Sequence, residues 1–218
     1  MSMRIMKIGV TFRLTLLEDI GFSGVTFIKW ECFFIMNAKT RKLTTMALLV
    51  AISIVLVYLI HFPIFPAAAF LEYDPADIPI LIGTFAFGPA AGLLLTVVTC
   101  VIQGVTVSAG SGAYGIIMHL IATSTIVLVA GNIYRVKHTR AGAAIGLIVG
   151  TICWGIVMCI ANHFITPVFM GVPVEVVDGM LLPIILPFNL IKAGVNSIIT
   201  FAIYKTVSRH LIHRGEEK

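Results

Sequence analysis

The amino-acid sequence predicts an all-α integral membrane protein, a bundle of six transmembrane helices with both termini on the cytoplasmic side. Only 11% of the 218 residues are charged, 59% are hydrophobic, and the mean hydropathy is +1.04. Soluble domains carry about 25% charged residues, so a chain this apolar is expected to lie in lipid. The net charge of +5 is concentrated at the ends of apolar segments. That pattern is typical of membrane topology and not of nucleic-acid binding.

The chain has two parts that differ in composition. Residues 1–35 mix charges with apolar runs that are too short for a signal peptide or a span. We expect this extension to be disordered or interfacial, or to reflect a misassigned translation start. Residues 36–218 form the membrane domain, whose length allows about six spans of about 20 residues with short loops. The predicted spans are residues 43–60, 78–88, 91–107, 114–133, 141–165 and 181–207.

The charged residues between these spans alternate in sign along the chain. The basic clusters are Arg41 with Lys42, Arg135 with Lys137 and Arg140, and Lys205 with Arg209; the acidic clusters are Glu72 with Asp74 and Asp77, and Glu175 with Asp178. In a six-span bundle every basic cluster falls on one side and every acidic cluster on the other. The positive-inside rule then places both termini in the cytoplasm.

The first long loop, residues 61–76, is rich in proline and aromatic residues, and its charged residues are acidic. A loop this apolar is expected to fold back over the bundle as a lid, and the alternative is an aromatic belt at the membrane interface. Asp77 then precedes Ile78 and Pro79, which predicts a helix start with an acidic cap and an early proline. A second outer loop is predicted from Thr166 to Met180.

Small residues recur at helical spacing in two of the predicted spans. Ala47 and Ala51 lie four residues apart in the first span, and Gly142, Gly146 and Gly150 begin the fifth. Helices in lipid associate where small side chains let their backbones approach, so both sets are expected to be packing faces.

The last span carries the polar residues around which a site is expected. Lys192 is the basic residue that we place at membrane depth, and Asn189 shares its helix face, while Pro187 removes a backbone N–H. Because an ammonium in hydrocarbon is costly, such residues usually face a bundle interior or a ligand cavity. The alternatives are a lysine that snorkels to the interface or pairs with a carboxylate. Two further candidates lie in other spans. Asn162 is expected to be a pocket group or an amide at the membrane interface, and His119 a hydrogen-bonded structural group or a ligand contact.

Motifs for several kinds of chemistry are absent from the sequence. It contains no P-loop, no HExxH and no GxSxG, so we expect neither an ATPase nor an enzyme. No CxxC pair occurs, and Cys100, Cys153 and Cys159 fall in apolar segments, so no disulfide frame and no metal site is indicated. These observations favour a small binding protein without an energy source of its own. A stand-alone membrane enzyme and a structural or assembly subunit remain as alternatives.

Several motifs within residues 43–207 resemble the riboflavin-specific substrate-binding (S) subunits of energy-coupling factor (ECF) vitamin transporters. The motifs are Ala47-xxx-Ala51, Phe70-Leu-Glu-Tyr-Asp-Pro-Ala-Asp-Ile-Pro79, Phe87-Gly-Pro-Ala-Ala-Gly92 and Leu186-Pro-Phe-Asn-Leu-Ile-Lys192. The last motif is the most specific, and the resemblance leaves out residues 1–35.

The resemblance implies a six-helix S-subunit fold whose vitamin pocket opens outward and is capped by the first loop. It implies high-affinity riboflavin binding and uptake across the bacterial cell membrane, with no catalytic residue, metal or cofactor. The implied partners are a membrane-embedded T subunit, docked on Ala47 and Ala51, and two ATPase subunits. The implied substrate-binding residues are Asn162, Asn189 and Lys192, with Phe70, Leu71 and Tyr73 in the lid.

His119 departs from the family pattern, because flavin-specific subunits tend to have asparagine at that place. The fold does not depend on this difference. We expect His119 to contact a different polar edge of flavin, or of another ligand. An S subunit for a different vitamin or small nutrient is therefore the alternative function.

Overall fold

The structure of the protein is a computed structural model that describes residues 38–212, with side chains described in 39–66 and 68–204. The predicted extension, residues 1–35, lies outside the described residues. The side chains of Lys205 and Arg209, the last basic cluster, also lie outside them. The chain divides into two units, Met1–Thr44 and Thr45–Lys218. The packing described below is that of the second unit.

Helices make up most of the described chain. Within these residues, four helical segments are long and apolar enough to cross a membrane, and two further apolar helices, Asp77–Phe87 and Pro89–Val105, are shorter. The elements are α1 (Ala38–Leu59), β1 (Phe62–Pro63), β2 (Glu72–Tyr73), α2 (Asp77–Phe87), α3 (Pro89–Val105), α4 (Gly112–Val136), α5 (Arg140–Met170), α6 (Val174–Met180) and α7 (Leu186–Ile212). A π-helical turn, Leu181–Ile185, joins α6 to α7. The composition and these helices define a helical membrane protein.

Helix α2 is buried on every side, because α3, α4 and α7 pack around it. Its 11 residues give a length of about 16 Å, well short of the hydrocarbon thickness of about 30 Å. The chain leaves α2 at Gly88, whose φ of 92° strongly favours glycine, and Pro89 then starts α3. Helix α2 therefore presents its first residue, Asp77, to protein and not to lipid.

Glycines on α5 allow α4 to pack closely against it. A Cβ on Gly146 would lie 3.0 Å from the carbonyl oxygen and 3.1 Å from the Cα of Ala130. A Cβ on Gly150 would lie 2.8 Å from Cγ1 of Ile126. The prediction of a glycine packing face is confirmed at these two positions, and its partner is α4.

Replacing Gly146 with leucine is expected to lower the free energy of unfolding by about 1–3 kcal/mol, because the backbone of Ala130 must move to admit the side chain. Thermal unfolding in detergent measures this effect. The matched control is Gly194→Leu, also within a long helix, since apart from the nearby backbone of that helix no described atom lies within 4 Å of a Cβ there. Equal stability of the two variants would contradict the packing role of Gly146.

The predicted outer loop from Thr166 to Met180 is wrong, because most of it is helical. Helix α5 continues to Met170 with Pro167 inside it. It ends at Gly171, whose φ of 66° is the left-handed conformation that terminates helices. Pro173 then precedes α6. A proline inside a membrane helix is tolerated more readily than one in water, which explains why the sequence reading stopped too early.

The first loop folds into a small hairpin. Phe62 pairs with Tyr73 and Pro63 with Glu72 in an antiparallel ladder. The imidazole of His61 lies 2.9 Å from the carboxylate of Glu72 and closes the base of this hairpin. The buried residues that the loop shares with α6, the π-helical turn and α7 form a second hydrophobic cluster: Ala68, Leu71, Val177, Ile185 and Phe188. Apolar packing thus fixes the loop on the segment that leads into α7.

Candidate functional site

A cavity of about 140 Å³ lies among the first loop, α3, α4, α5 and α7. Its lining combines aromatic and apolar side chains with polar groups from each of these elements. The polar lining side chains are His61, Glu72, Asp74, Gln103, Ser108, Ser111, Tyr114, His119, Asn162, Thr166, Asn189 and Lys192. Apolar walls with a few convergent polar groups are characteristic of small-molecule sites.

The structure brings most of the candidate residues together at this cavity. Phe70, Leu71, His119, Asn162, Asn189 and Lys192 all line it. Tyr73 lies apart from the lining: its hydroxyl donates to Oδ1 of Asn196 at 3.0 Å, and its ring packs against Phe62. Burial raises the pKa of Tyr73, so its hydroxyl keeps the proton that it donates. Tyr73 therefore ties the hairpin to α7.

Lys192 forms a buried ion pair with Asp74, which comes from the loop before α2. Its Nζ donates to Oδ2 of Asp74 at 2.7 Å, and the two side chains are 9% and 4% exposed. Burial opposes ionisation of Asp74, but the Lys192 ammonium outweighs it and holds the pKa of this carboxyl well below its usual range. The pair therefore stays ionised at physiological pH. Lys192 both lines the cavity and pairs with a carboxylate. Two of the roles considered for it, a cavity group and a member of an ion pair, therefore apply together.

Asp77 is the centre of a second buried network. Its Oδ1 accepts from the hydroxyl of Thr123 at 2.6 Å and lies 3.3 Å from Nε2 of His119. Its Oδ2 accepts from Nδ2 of Asn196 at 2.9 Å. The predicted acidic helix cap is wrong, since the N-cap of α2 is Ala76 and no side chain caps this end. The Asp77 carboxylate turns inward because α4 and α7 offer it buried donors.

The side-chain amides of the two candidate asparagines, Asn162 and Asn189, are oriented by hydrogen bonds that their oxygens accept from neighbouring side chains. Trp154 Nε1 donates to Oδ1 of Asn189 at 2.8 Å, and the Thr166 hydroxyl donates to Oδ1 of Asn162 at 2.8 Å. Each amide nitrogen gives one N–H to a backbone carbonyl of its own helix. One N–H of each amide is left for a ligand, so both asparagines are set to recognise acceptor atoms.

Asp74, Asp77 and His119 bring possible metal ligand atoms within 4.8 Å of one another. Protein donors already reach the oxygens of both carboxylates. The Lys192 ammonium also supplies positive charge at this place. The arrangement therefore suits a hydrogen-bonded polar cluster better than a cation site.

Sequence reasoning missed Asp74, Asp77, Trp154 and Gln103 as members of this site. It used the two aspartates only as outer charges and as a helix cap. A signal was present, because a lysine at membrane depth needs a carboxylate partner and the Asp-Pro-Ala-Asp sequence borders an apolar helix. Gln103 gave a weaker signal, as a polar residue within the predicted span 91–107, and Trp154 gave none.

Residues 41–204 match the family model described as "ECF transporter, substrate-specific component". The chain therefore belongs to this family of membrane proteins, whose members are substrate-binding parts of transporters and not enzymes.

Named relatives and solved structures agree with this membership. The chain is 31% identical over 179 residues to the riboflavin transporter RibU of Staphylococcus aureus, covering 79% of this chain and 93% of that one. It is 28% identical over 179 residues to the riboflavin transporter FmnP of Bacillus subtilis, covering 76% and 91%. A structure of the S component of a bacterial ECF transporter superposes with a TM-score of 0.69 at 32% identity, covering 80% and 99%.

An S component for biotin superposes with a TM-score of 0.55 at 18% identity, covering 78% of this chain and 95% of that one. At that identity the likeness shows the fold alone. The S-component fold is therefore shared by proteins of different specificity, and the ligand must be argued from the side chains of the cavity.

Proposed function

We propose that this protein binds riboflavin and mediates its uptake as the S subunit of an ECF transporter. The observation that carries the proposal is the cavity itself, in which oriented asparagine amides and a lysine ammonium lie beside aromatic side chains. Relatives named as riboflavin transporters match most of the chain, at 31% identity for the Staphylococcus aureus protein. The proposed substrate-binding residues are Asn162, Asn189, Lys192, His119, Phe70 and Leu71.

The chemistry of riboflavin fits these groups. Its flat ring carries carbonyl oxygens and ring nitrogens, which accept hydrogen bonds from amide N–H groups and from an ammonium. Trp154 and Phe188 line the cavity next to Asn189 and offer apolar faces to the ring. The free N–H groups of Asn162 and Asn189 would meet the acceptor edge of the ring.

The proposed topology has six spans, with both termini in the cytoplasm and the cavity facing outward in the bacterial cell membrane. Besides the four long apolar segments, the short helices α2 and α3 supply the second and third spans. The described members of the basic clusters then lie on the cytoplasmic side: Arg41, Lys42, Arg135, Lys137 and Arg140. Glu72, Glu175 and Asp178 lie on the outer side.

The proposed partners are a membrane-embedded T subunit and two ATPase subunits that supply the energy. Ala47 and Ala51 are both exposed on α1. Large apolar neighbours on the same helix, Leu48 and Val55, are 56% and 55% exposed. A small-residue face of this kind allows close approach of a partner helix in lipid, which supports docking of the T subunit there.

A different vitamin is the second candidate for the ligand. It is favoured by His119, which lines the cavity next to Asp77 where the flavin subunits tend to have asparagine. A structural subunit without a ligand is disfavoured, because a packing role gives no reason for a cavity lined by oriented amides.

Replacing Thr166 with valine is expected to weaken riboflavin binding by about 0.5–1.5 kcal/mol, because Asn162 loses the donor that orients its amide. Equilibrium binding to the purified protein measures the change. Thr125→Val is the matched control, since its hydroxyl donates to Ile121 O of its own helix and does not line the cavity. Equal affinities in the two variants would contradict the orienting role.

Uptake of labelled riboflavin tests the proposed function. The chain is produced with a T subunit and two ATPase subunits in bacteria that lack their own riboflavin uptake, and biotin is offered in parallel. We expect uptake of riboflavin and none of biotin, and the absorbance spectrum of the purified protein should show bound flavin. Riboflavin uptake no greater than in cells without this chain, with the complex shown to assemble, would contradict the proposal.

A further inference from the structure

Gln103 on α3 carries a hydrogen-bond acceptor that no described protein group uses. The residue is 4% exposed and lines the cavity. Its Oε1 is buried and has no hydrogen-bond partner in the described part of the chain. Buried polar atoms are nearly always paired, so an unpaired acceptor on a side chain that lines the ligand cavity calls for a donor on the ligand.

The Gln103 amide is oriented by the ion pair next to it. Its Nε2 donates to Oδ2 of Asp74 at 3.4 Å, and the same oxygen accepts from Lys192. An ionised carboxylate only accepts hydrogen bonds, so a reversed amide would set two acceptor oxygens against each other. Oε1 is therefore the atom that faces away from Asp74.

The backbone holds Gln103 firmly at the end of α3. Its carbonyl oxygen accepts from the backbone N–H of Thr106 at 3.2 Å and of Ser108 at 3.0 Å. The next residue, Gly104, packs directly against the side chain of Ile116 on α4 and has no room for a Cβ. These backbone contacts hold the position from which the Gln103 side chain extends.

We propose that Oε1 of Gln103 accepts a hydrogen bond from a hydroxyl of the ribityl chain of riboflavin. This inference rests on the proposed function and adds a specificity residue to it. Protein donors already reach the oxygens of Asp74 and Asp77. Gln103 therefore supplies a buried, unpaired acceptor beside the ion pair of Asp74 and Lys192.

The ring of riboflavin is the less suitable donor for Gln103. Its single N–H lies between two carbonyl groups, and that edge matches the free amide donors of Asn162 and Asn189. Binding the acceptor edge of the ring at these amides leaves the hydroxyl-bearing chain for the groups around Asp74 and Gln103. Gln103 thus selects for a polyhydroxyl substituent on the flavin ring.

The test compares two ligands on one variant. Gln103→Met keeps the length of the side chain and removes its polar atoms, and lumiflavin keeps the ring with a methyl group in place of the ribityl chain. We expect Gln103→Met to weaken riboflavin binding about 10-fold and to leave lumiflavin binding unchanged. The unfolding temperature of this variant without ligand should stay close to that of the wild type, because removing a buried unpaired acceptor offsets the loss of the donation to Asp74.

The matched control is Thr99→Val, which removes the other buried side-chain atom without a partner among the described residues. Thr99 lies one turn earlier on α3 and does not line the cavity, so both affinities should stay unchanged. An equal loss for both flavins in Gln103→Met, or no loss for riboflavin, would overturn the inference. A wild-type protein that binds neither flavin would instead refute the proposed function, and the Gln103 contact with it.

Discussion

Replacing Asp77 with alanine is expected to lower the free energy of unfolding by about 3–5 kcal/mol, the cost of removing one partner from a buried charged network. Asp77 is fully buried. Its replacement by alanine leaves three groups without their hydrogen-bond partner: the hydroxyl of Thr123, one N–H of Asn196 and the imidazole of His119. Buried donors without partners carry their full desolvation penalty. Thermal unfolding of the purified protein in detergent measures the loss.

The control for this prediction is Asp178→Ala. Asp178 also pairs with a histidine, His163, at 2.6 Å, but the two side chains are 42% and 38% exposed. Exposed pairs contribute about 0–1 kcal/mol, so this variant should unfold close to the wild type. If Asp77→Ala were no less stable than Asp178→Ala, the role assigned to the buried network would be wrong.

Lys192→Met is expected to have two effects that can be separated. It removes a charged donor from the cavity, which should weaken riboflavin binding by about 1–3 kcal/mol, or about 5-fold to 150-fold. It also leaves the Asp74 carboxylate buried without its cation, which should lower the free energy of unfolding by about 3–5 kcal/mol. Flavin titration measures the first effect and thermal unfolding the second.

The double variant Asp74→Asn with Lys192→Met separates stability from binding. Without either charge, the buried pair is replaced by neutral groups, so most of the lost stability should return. Riboflavin affinity should stay low, because the ammonium is still missing. Affinity that recovers together with stability would show that Lys192 acts only through the fold.

Much of this site could be predicted from one short stretch of sequence. Lys192 stands at membrane depth one turn after Asn189, and a cation there requires a cavity or a partner whatever the fold. The first loop could be assigned a covering position because its prolines and aromatic residues suit packing on the bundle. These residues could be identified from the sequence because their side chains are unusual for a segment that only contacts lipid.

The rest of the site depends on contacts between distant parts of the chain. Asp74 and Lys192 are 118 positions apart, and no periodicity in either segment indicates that they meet. The surroundings of helix α2 could not be predicted for the same reason, since an 11-residue apolar helix can be a short span or a buried core helix. Only the packing of α3, α4 and α7 around it shows that Asp77 is enclosed. Gln103 is polar and lies within the predicted span 91–107, but an amide near a helix end is ordinary and does not by itself indicate a site.

Binding of riboflavin to the purified wild-type protein, followed by quenching of flavin fluorescence, tests the central claim most directly. We predict saturable, high-affinity quenching that is weakened in Lys192→Met and in Asn162→Ala and is unchanged in Thr125→Val. Absence of quenching by a protein shown to be folded would contradict the account, and the search for the ligand would then begin from His119.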